Sequence, residues 1–386
     1  MHLAKLRVRM VWATLGVFIV GTLFALAMVY IIDIVFGYLL MDDFFALIWW
    51  YTIPFTSFAI PLPYDIMWAF FVGVLMLLFQ WLIGPAMVRV AVRMKYVDRR
   101  SGGWLYEEVE RLSRKADLPM PNVAVVESKV PNAFVFGRTA GGATLAVHTG
   151  LINTLNQREI SGVLAHELGH IRHKDLIVMT LASAIPLIAL MVLRGSLWGG
   201  RAAAYSGRGS KNGKGCLVIL FALIAIAVLS ALVFGLSLLV VRGLSRMREH
   251  YADSYSAQLT GDPRALQSAL AKITWGLSLA EASKNTGLRS FYIGDSKQAA
   301  KEVGYIQTHR HQFDLDKDGV LDERELLIAM ETEAKRHRLG GISAALSTHP
   351  PTYKRILLLK DLEKEITARQ AVVPTREEAQ PALDEI

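Results

Sequence analysis

The chain has 386 residues, 53% of them hydrophobic, with a formal net charge of +8 and a single cysteine, Cys216. That length allows two or three domains, and so high an apolar share sets the chain apart from ordinary soluble proteins and points to membrane segments. One cysteine excludes an internal disulfide, and basic residues crowded at the ends of apolar runs exclude a nucleic-acid reading of the charge.

Four uncharged runs, Met10–Ile32, Ile66–Val88, Leu176–Leu193 and Gly215–Val241, are each long enough to span a hydrocarbon core. The first is too long, and lacks the cleavage pattern, for a plain signal peptide. A fifth run, Phe44–Tyr64, is broken by Pro54, Pro61 and Pro63 and carries Trp49, Trp50 and Tyr51, which fits an interfacial or re-entrant segment. Lys5, Arg7 and Arg9 precede the first run; Arg89, Arg93, Lys95, Arg99 and Arg100 follow the second; only Asp33, Asp42, Asp43 and Asp65 are charged between them. The positive-inside rule places both ends of this hairpin in the cytoplasm. Residues 1–95 are therefore read as an N-terminal transmembrane region with spans at about 10–32 and 66–88.

Next comes a stretch of mixed elements. Leu105, Val109 and Leu112 give Trp104–Leu118 a helical period. Val123–Val126 reads as a strand, and Asn132–Phe136 with Thr144–Val147 as a hairpin around Gly141-Gly142. Asn156 and Glu159 form a capping-box pattern for a helix that carries Ile160, Val163 and Leu164 and then His166-Glu167-Leu168-Gly169-His170. Two histidines four apart share a helix face, so both imidazoles reach one Zn²⁺ and Glu167 stands beside a metal-bound water. The helix leads through His173, Lys174 and Asp175 into the third apolar run, which puts the motif close to the membrane surface.

A catalytic zinc takes three protein ligands and keeps one position open. Ser245–Asp253, after the fourth run, is helical and offers Glu249, with Asp253 one turn on to accept a proton from a ligand histidine. By spacing alone, His250 and His173 compete with Glu249. Gly261 ends this helix and Asp262-Pro263 opens the next. Residues 283–298 form a polar connection, Pro350-Pro351 opens a last helix to about Ala368, and the tail beyond Gln370 reads as disordered.

Between these lies Asp314-Leu315-Asp316-Lys317-Asp318-Gly319-Val320-Leu321-Asp322-Glu323-Arg324-Glu325. Carboxylates stand at loop positions 1, 3, 5, 9 and 12, glycine at 6, and Val320 offers a backbone carbonyl at 7, the complete pattern of an EF-hand. Asp314, Asp316, Asp318, Val320, Asp322 and Glu325 are thus candidate Ca²⁺ ligands. A lone EF-hand fits a structural clip or pairing with a second copy, and a cytoplasmic position would favour low occupancy or Mg²⁺.

Pro131-Asn132-Ala133-Phe134, Val163 through His170, Ser245-Arg246 through Glu249 and Asp253, and Ser347-Thr348-His349-Pro350-Pro351 with Arg355-Ile356 together resemble the HtpX-type membrane metalloproteases. These belong to the gluzincin group with the CAAX-prenyl endopeptidases; an EF-hand is a departure from that family's pattern. The resemblance implies Glu249 as third zinc ligand, Asn132, Ala133 and Phe134 as a substrate-binding edge strand, and His349 near the site. His349 is then either a donor to the oxyanion or a residue that only orders its turn. Glu167 is expected to take a proton from the attacking water and return it to the leaving amine.

The expected fold class is a mostly α integral membrane protein. Its gluzincin-type α+β metalloprotease domain (96–175 and 243–298) has a short β-sheet and is interrupted by an apolar helical hairpin (176–242). An EF-hand insertion (299–340), a C-terminal helical part (341–369) and a tail (370–386) follow. The expected activity is zinc-dependent endopeptidase action on protein or peptide substrates, membrane proteins among them, in quality control and stress response. The expected place is a multi-pass position in the cell membrane, in contact with the lipid bilayer, with the protease domain cytoplasmic. The rival reading is a non-enzymatic calcium-binding membrane sensor with structural zinc, which leaves Glu167 without a purpose. Ligands that meet one ion require an even number of crossings between His170 and Glu249, which a full hairpin satisfies and so do two segments that never cross; the full hairpin is the expected arrangement. Arg194, Arg201, Arg208, Lys211 and Lys214 in the intervening loop pull against that hairpin.

Overall fold

A computed structural model describes residues 12, 15–16, 19, 21, 23, 50–52, 59–61, 64–206, 213–279, 296–317, 321–336 and 349–372. Most of the first apolar run, the polar connection before residue 296 and the tail lie outside the described residues. The chain divides into two compact units, Met1–Gly84 with Val178–Leu244, and Pro85–Ile177 with Ser245–Ile386.

In the first unit, β1 (Trp50–Thr52) pairs antiparallel with β2 (Ala59–Pro61). The second apolar run forms α1 (Tyr64–Val92), with Pro85 inside it. Two further helices hold the other runs, α5 (Asp175–Ser206) and α6 (Gly213–Thr260). Within them, Asp175–Arg201 and Ile219–Thr260 are long and apolar enough to cross a membrane. Their outward residues include Trp198, 76% exposed, and Phe221, 68% exposed, which suits a lipid-facing surface better than water. Ala189 and Val233 pack together, and a methyl at Gly199 would sit 3.3 Å from Leu223, so glycine lets α5 and α6 approach closely. The uncharged run ends at Leu193, but α5 continues to Ser206 and takes Arg194 and Arg201 into the helix. No proline follows Pro186 in that stretch, and Ala202-Ala203-Ala204 are strong helix formers.

In the second unit a four-stranded sheet has the order β3 (Lys95–Val97), β4 (Asn122–Val126), β6 (Thr144–His148), β5 (Ala133–Phe136). β4 and β6 run parallel; the other pairs are antiparallel. Alternation puts Val123, Leu145 and Val147 into the main core, and Ala124, Ala146, Phe134 and Phe136 against Val88, Val92 and Met94. β3 was not expected, because it lies within the basic stretch after α1. The helix α2 (Arg99–Lys115) starts earlier than its apolar period suggested. Asp98 and Ser101 form a capping box there, and Gly103, at φ +49°, breaks the helix geometry before Trp104.

The remaining helices are α3 (Thr149–Thr154), α4 (Gln157–Arg172), α7 (Pro263–Leu279), α8 (Ser296–Thr308), α9 (Arg310–Phe313), α10 (Glu323–Arg336) and α11 (Thr352–Val372). One core gathers Leu164 and Leu168 of α4, Leu266 and Ile273 of α7, Val303 and Ile306 of α8, Met330 of α10 and Ile356 and Leu359 of α11.

Candidate metal centre

The motif helix α4 is fixed at its start before it carries any chemistry. Asn156 Oδ1 accepts from Glu159 N–H at 2.9 Å, and Glu159 Oε2 accepts from Asn156 N–H at 2.9 Å. The other Glu159 oxygen takes the Ser268 hydroxyl and, at 2.5 Å, Lys272 Nζ, which ties α4 to α7. Val163, Leu164 and Leu168 are fully buried on one side of the helix. Gly169 lies on the side that meets α6, where a methyl would stand 3.2 Å from Ala252 Cα. That close approach brings Glu249 and Asp253 of α6 to the two histidines.

His166, His170 and Glu249 offer ligand atoms that all lie within 4.8 Å of one another. His166 Nε2 is 3.5 Å from Glu249 Oε2, and His170 Nε2 is 3.8 Å from Glu249 Oε1. Zinc bonds of about 2.0–2.2 Å at tetrahedral angles put neighbouring ligand atoms about 3.3–3.6 Å apart, so this spacing fits. The other ring nitrogens are held by carboxylates. His166 Nδ1 lies 3.0 Å from Asp253 Oδ1, and His170 Nδ1 lies 2.7 Å from Asp175 Oδ2. A proton on each Nδ1 leaves each Nε2 lone pair free to bind a metal. Neither His250 nor His173 joins the group. The His173 ring instead packs edge-on against Tyr251 at 4.1 Å and Tyr255 at 5.4 Å.

Charge explains why the site suits a dication. Burial disfavours the His166 cation, yet hydrogen bonds to Asp253 and Glu249 outweigh it and raise the pKa to about 9. Burial likewise opposes the His170 cation, and Asp175 reverses the balance upward. Glu167 is 4% exposed, and burial pushes its carboxyl up. Among the described residues, Asp175, Glu249 and Asp253 pair with Arg248 and Arg355 and, with Glu167, leave the two imidazoles in a carboxylate-rich setting that favours positive charge.

Those arginines, and Asp175, were given no role from the sequence. Arg248 donates to Asp175 and, at 2.9 Å, to the His173 carbonyl. Arg355 of α11 is 1% exposed and donates to both Asp253 oxygens at 2.9 and 2.6 Å. Its Nη1 is 3.3 Å from Glu249 Oε2. Burial works against this guanidinium, but Asp253 and Glu249 hold its pKa above the usual arginine value. Asp175 was legible only as the acidic residue closest after His170, and Arg355 only as part of the Pro-Pro segment.

The other sequence-selected residues fall as follows. His349 is buried, with Nδ1 3.3 Å from Glu249 Oε1. Asn132 is buried, and its carbonyl accepts from His148 N–H at 2.9 Å. Ala133 and Phe134 lie in β5, one of the two edge strands of the sheet among the described residues, β3 being the other. Asp314, Asp316 and Glu325 form a second group whose oxygens lie within 4.8 Å of one another. Asp322 caps α10, its Oδ1 accepting from Glu325 N–H at 2.8 Å. Asp318 and Val320 lie outside the described residues.

Residues 99–363 match the model of peptidase family M48. "Protease HtpX homolog" of Aeropyrum pernix is 38% identical over 295 residues, 75% of this chain and 84% of the relative. "Protease HtpX homolog" of Methanothermobacter thermautotrophicus is 37% identical over 199 residues, 52% of this chain and 70% of the relative. The crystal structure of Ste24p from S. mikatae overlaps 89% of this chain and 67% of its own, at 16% identity and a TM-score of 0.43. So loose an overlap establishes nothing about this chain.

Proposed function

The chain belongs to peptidase family M48 and is a zinc-dependent membrane endopeptidase, and we propose that His166, His170 and Glu249 hold the ion while Glu167 moves the protons. The supporting observation is a His-His-Glu triplet, buried except for a partly exposed His170, with each histidine Nδ1 within 3.0 Å of its own carboxylate. Zinc, when bound, supplies a Lewis acid and lowers the pKa of a water at its open position.

Glu167, with its pKa raised by burial, takes the proton of the attacking water at a carboxylate oxygen. It returns that proton to the leaving amine. Asp253 and Asp175 fix the ring orientation of His166 and His170. His349 steadies Glu249 and donates to the developing oxyanion. β5 receives the substrate backbone by strand addition, with Asn132, Ala133 and Phe134 at its start. Backbone pairing carries little side-chain information, so the enzyme accepts varied sequences, as quality control of damaged membrane proteins requires. A structural zinc alone would give no reason to bury Glu167 beside an open ligand position.

The chain crosses the membrane several times, with the peptidase unit cytoplasmic and α5 and α6 forming a full hairpin. With Cys216 replaced by serine and one cysteine placed at Ser206, a membrane-impermeant thiol reagent then labels intact cells. Labelling only in opened cells rejects the hairpin. The loop from Asp314 to Glu325 takes one Ca²⁺ through Asp314, Asp316, Asp318, Val320, Asp322 and Glu325.

The decisive activity test uses detergent-purified protein and an unstructured protein substrate. Hydrolysis should stop with a zinc chelator and return with zinc. Glu167→Gln should keep its zinc and lose about 10²-fold or more in rate. Unchanged cleavage by that variant rejects the assignment.

A further inference from the structure

We propose that calcium held by Asp314, Asp316 and Glu325 regulates the peptidase by setting α10 against α11, the helix that carries Arg355 to the metal centre. The inference rests on the zinc-peptidase and calcium readings above and adds the coupling between them.

The coupling begins at Glu325. This residue is position 12 of the loop and also lies in the first turn of α10. It is 3% exposed, and its carboxylate accepts from the N–H groups of Leu315, Asp316 at 3.3 Å and Asp322 at 3.0 Å. One carboxylate therefore joins the start of the loop to the start of the helix. An ion shared by Asp314, Asp316 and Glu325 relieves the repulsion among them and clamps the same junction.

α10 then passes the constraint on. Leu326, Ala329 and Met330 are buried in the core that holds Ile356 and Leu359 of α11. Glu331 binds Lys360 Nζ at 2.6 and 2.7 Å, and Glu363 of the same helix binds Gln267 of α7 at 3.2 Å. Arg355 lies little more than one turn before Lys360 on this braced helix. Its guanidinium grips Asp253, the carboxylate that orients His166, and touches Glu249. A shift of α10 against α11 is thus felt at two of the three zinc ligands.

The experiment uses the full-length, zinc-loaded protein in detergent. Calcium is titrated while three quantities are followed: calcium binding by calorimetry, amide exchange of residues 352–372, and kcat/KM. Calcium should slow exchange in α11 and raise kcat/KM about five-fold or more, with one common midpoint. Asp314→Asn with Glu325→Gln should abolish all three responses. Asp316→Asn, at an exposed side chain, should weaken them without threatening the fold. Absence of calcium binding overturns the ion site and the coupling together. Binding that changes neither exchange in α11 nor kcat/KM overturns the coupling and leaves the ion site standing. If no condition gives hydrolysis, the peptidase reading fails, while the exchange data still decide whether the loop acts on α11.

Discussion

Replacing Arg355 by methionine tests how the metal centre is held together. The substitution keeps much of the volume and removes the charge. Asp253, 0% exposed, then loses two charge-assisted hydrogen bonds of 2.9 and 2.6 Å, and Glu249 loses a cation 3.3 Å away. Breaking a buried ion pair from one side costs about 3–5 kcal/mol, because the remaining charge stays buried without its partner. For a unit of this size that is a fall in Tm of about 6–20 °C. Arg355→Lys keeps the charge but loses the planar fork, so it should fall between the two. Tryptophan-fluorescence melting of the zinc-loaded proteins in one detergent gives the order. A double-mutant cycle with Asp253→Asn isolates the pair, which should couple by at least about 1.5 kcal/mol. If Arg355→Met melts with the parent and shows no coupling to Asp253, the buried pair does not hold the centre, and the reasoning is wrong.

Glu249→Ala should lose its zinc and His250→Ala should keep it, because among the described residues Glu249, and not His250, groups with both histidines at ligand distance; metal analysis of the purified variants decides. Asp175→Asn should weaken zinc binding about 10–100-fold, measured by competition with a chelator, and an unchanged affinity would remove its role in orienting His170. Acid should weaken the sheet near β5 through His148, whose buried ring holds the Val130 carbonyl at 3.0 Å and whose pKa burial lowers below 6.5. The unfolded chain takes up a proton near pH 6.5 that the native ring refuses, so this stabilisation is complete above 6.5 and is lost as pH falls. The gap in Tm between the parent and His148→Gln should therefore shrink from pH 7.5 to 5.5, and a constant gap would exclude the histidine.

Much of the second unit was legible because its signals are local. The capping box of Asn156 and Glu159, the strands at 122–126 and 144–148, and the turn at Gly261 each depend on residues within a few positions of one another. β3 escaped notice because its three residues carry no alternation that stands out from the basic stretch around them. The far end of α5 was not legible for a different reason. Charge bounds the apolar run at Leu193, whereas helix continuation depends on backbone hydrogen bonds and the absence of proline.

The centre itself divides along the same line. His166 and His170 are paired by helix periodicity, which a sequence displays directly. Glu249 is separated from them by two apolar helices, so spacing could only nominate it beside His250 and His173. Asp175 and Arg355 belong to the centre for reasons that appear only after folding. One carboxylate must receive each Nδ1 proton, and one cation must offset Asp253 and Glu249 once all are buried. Arg355 lies 102 positions from Asp253 in the chain, so its partner follows from burial and not from pattern. The same reasoning makes α11 the element most sensitive to change elsewhere. It supplies the compensating charge to the centre, and its own position depends on α7 and α10, through Glu363 and Lys360. An influence that travels along α11 therefore reaches the proposed zinc ligands through a helix whose displacement leaves a buried carboxylate uncompensated.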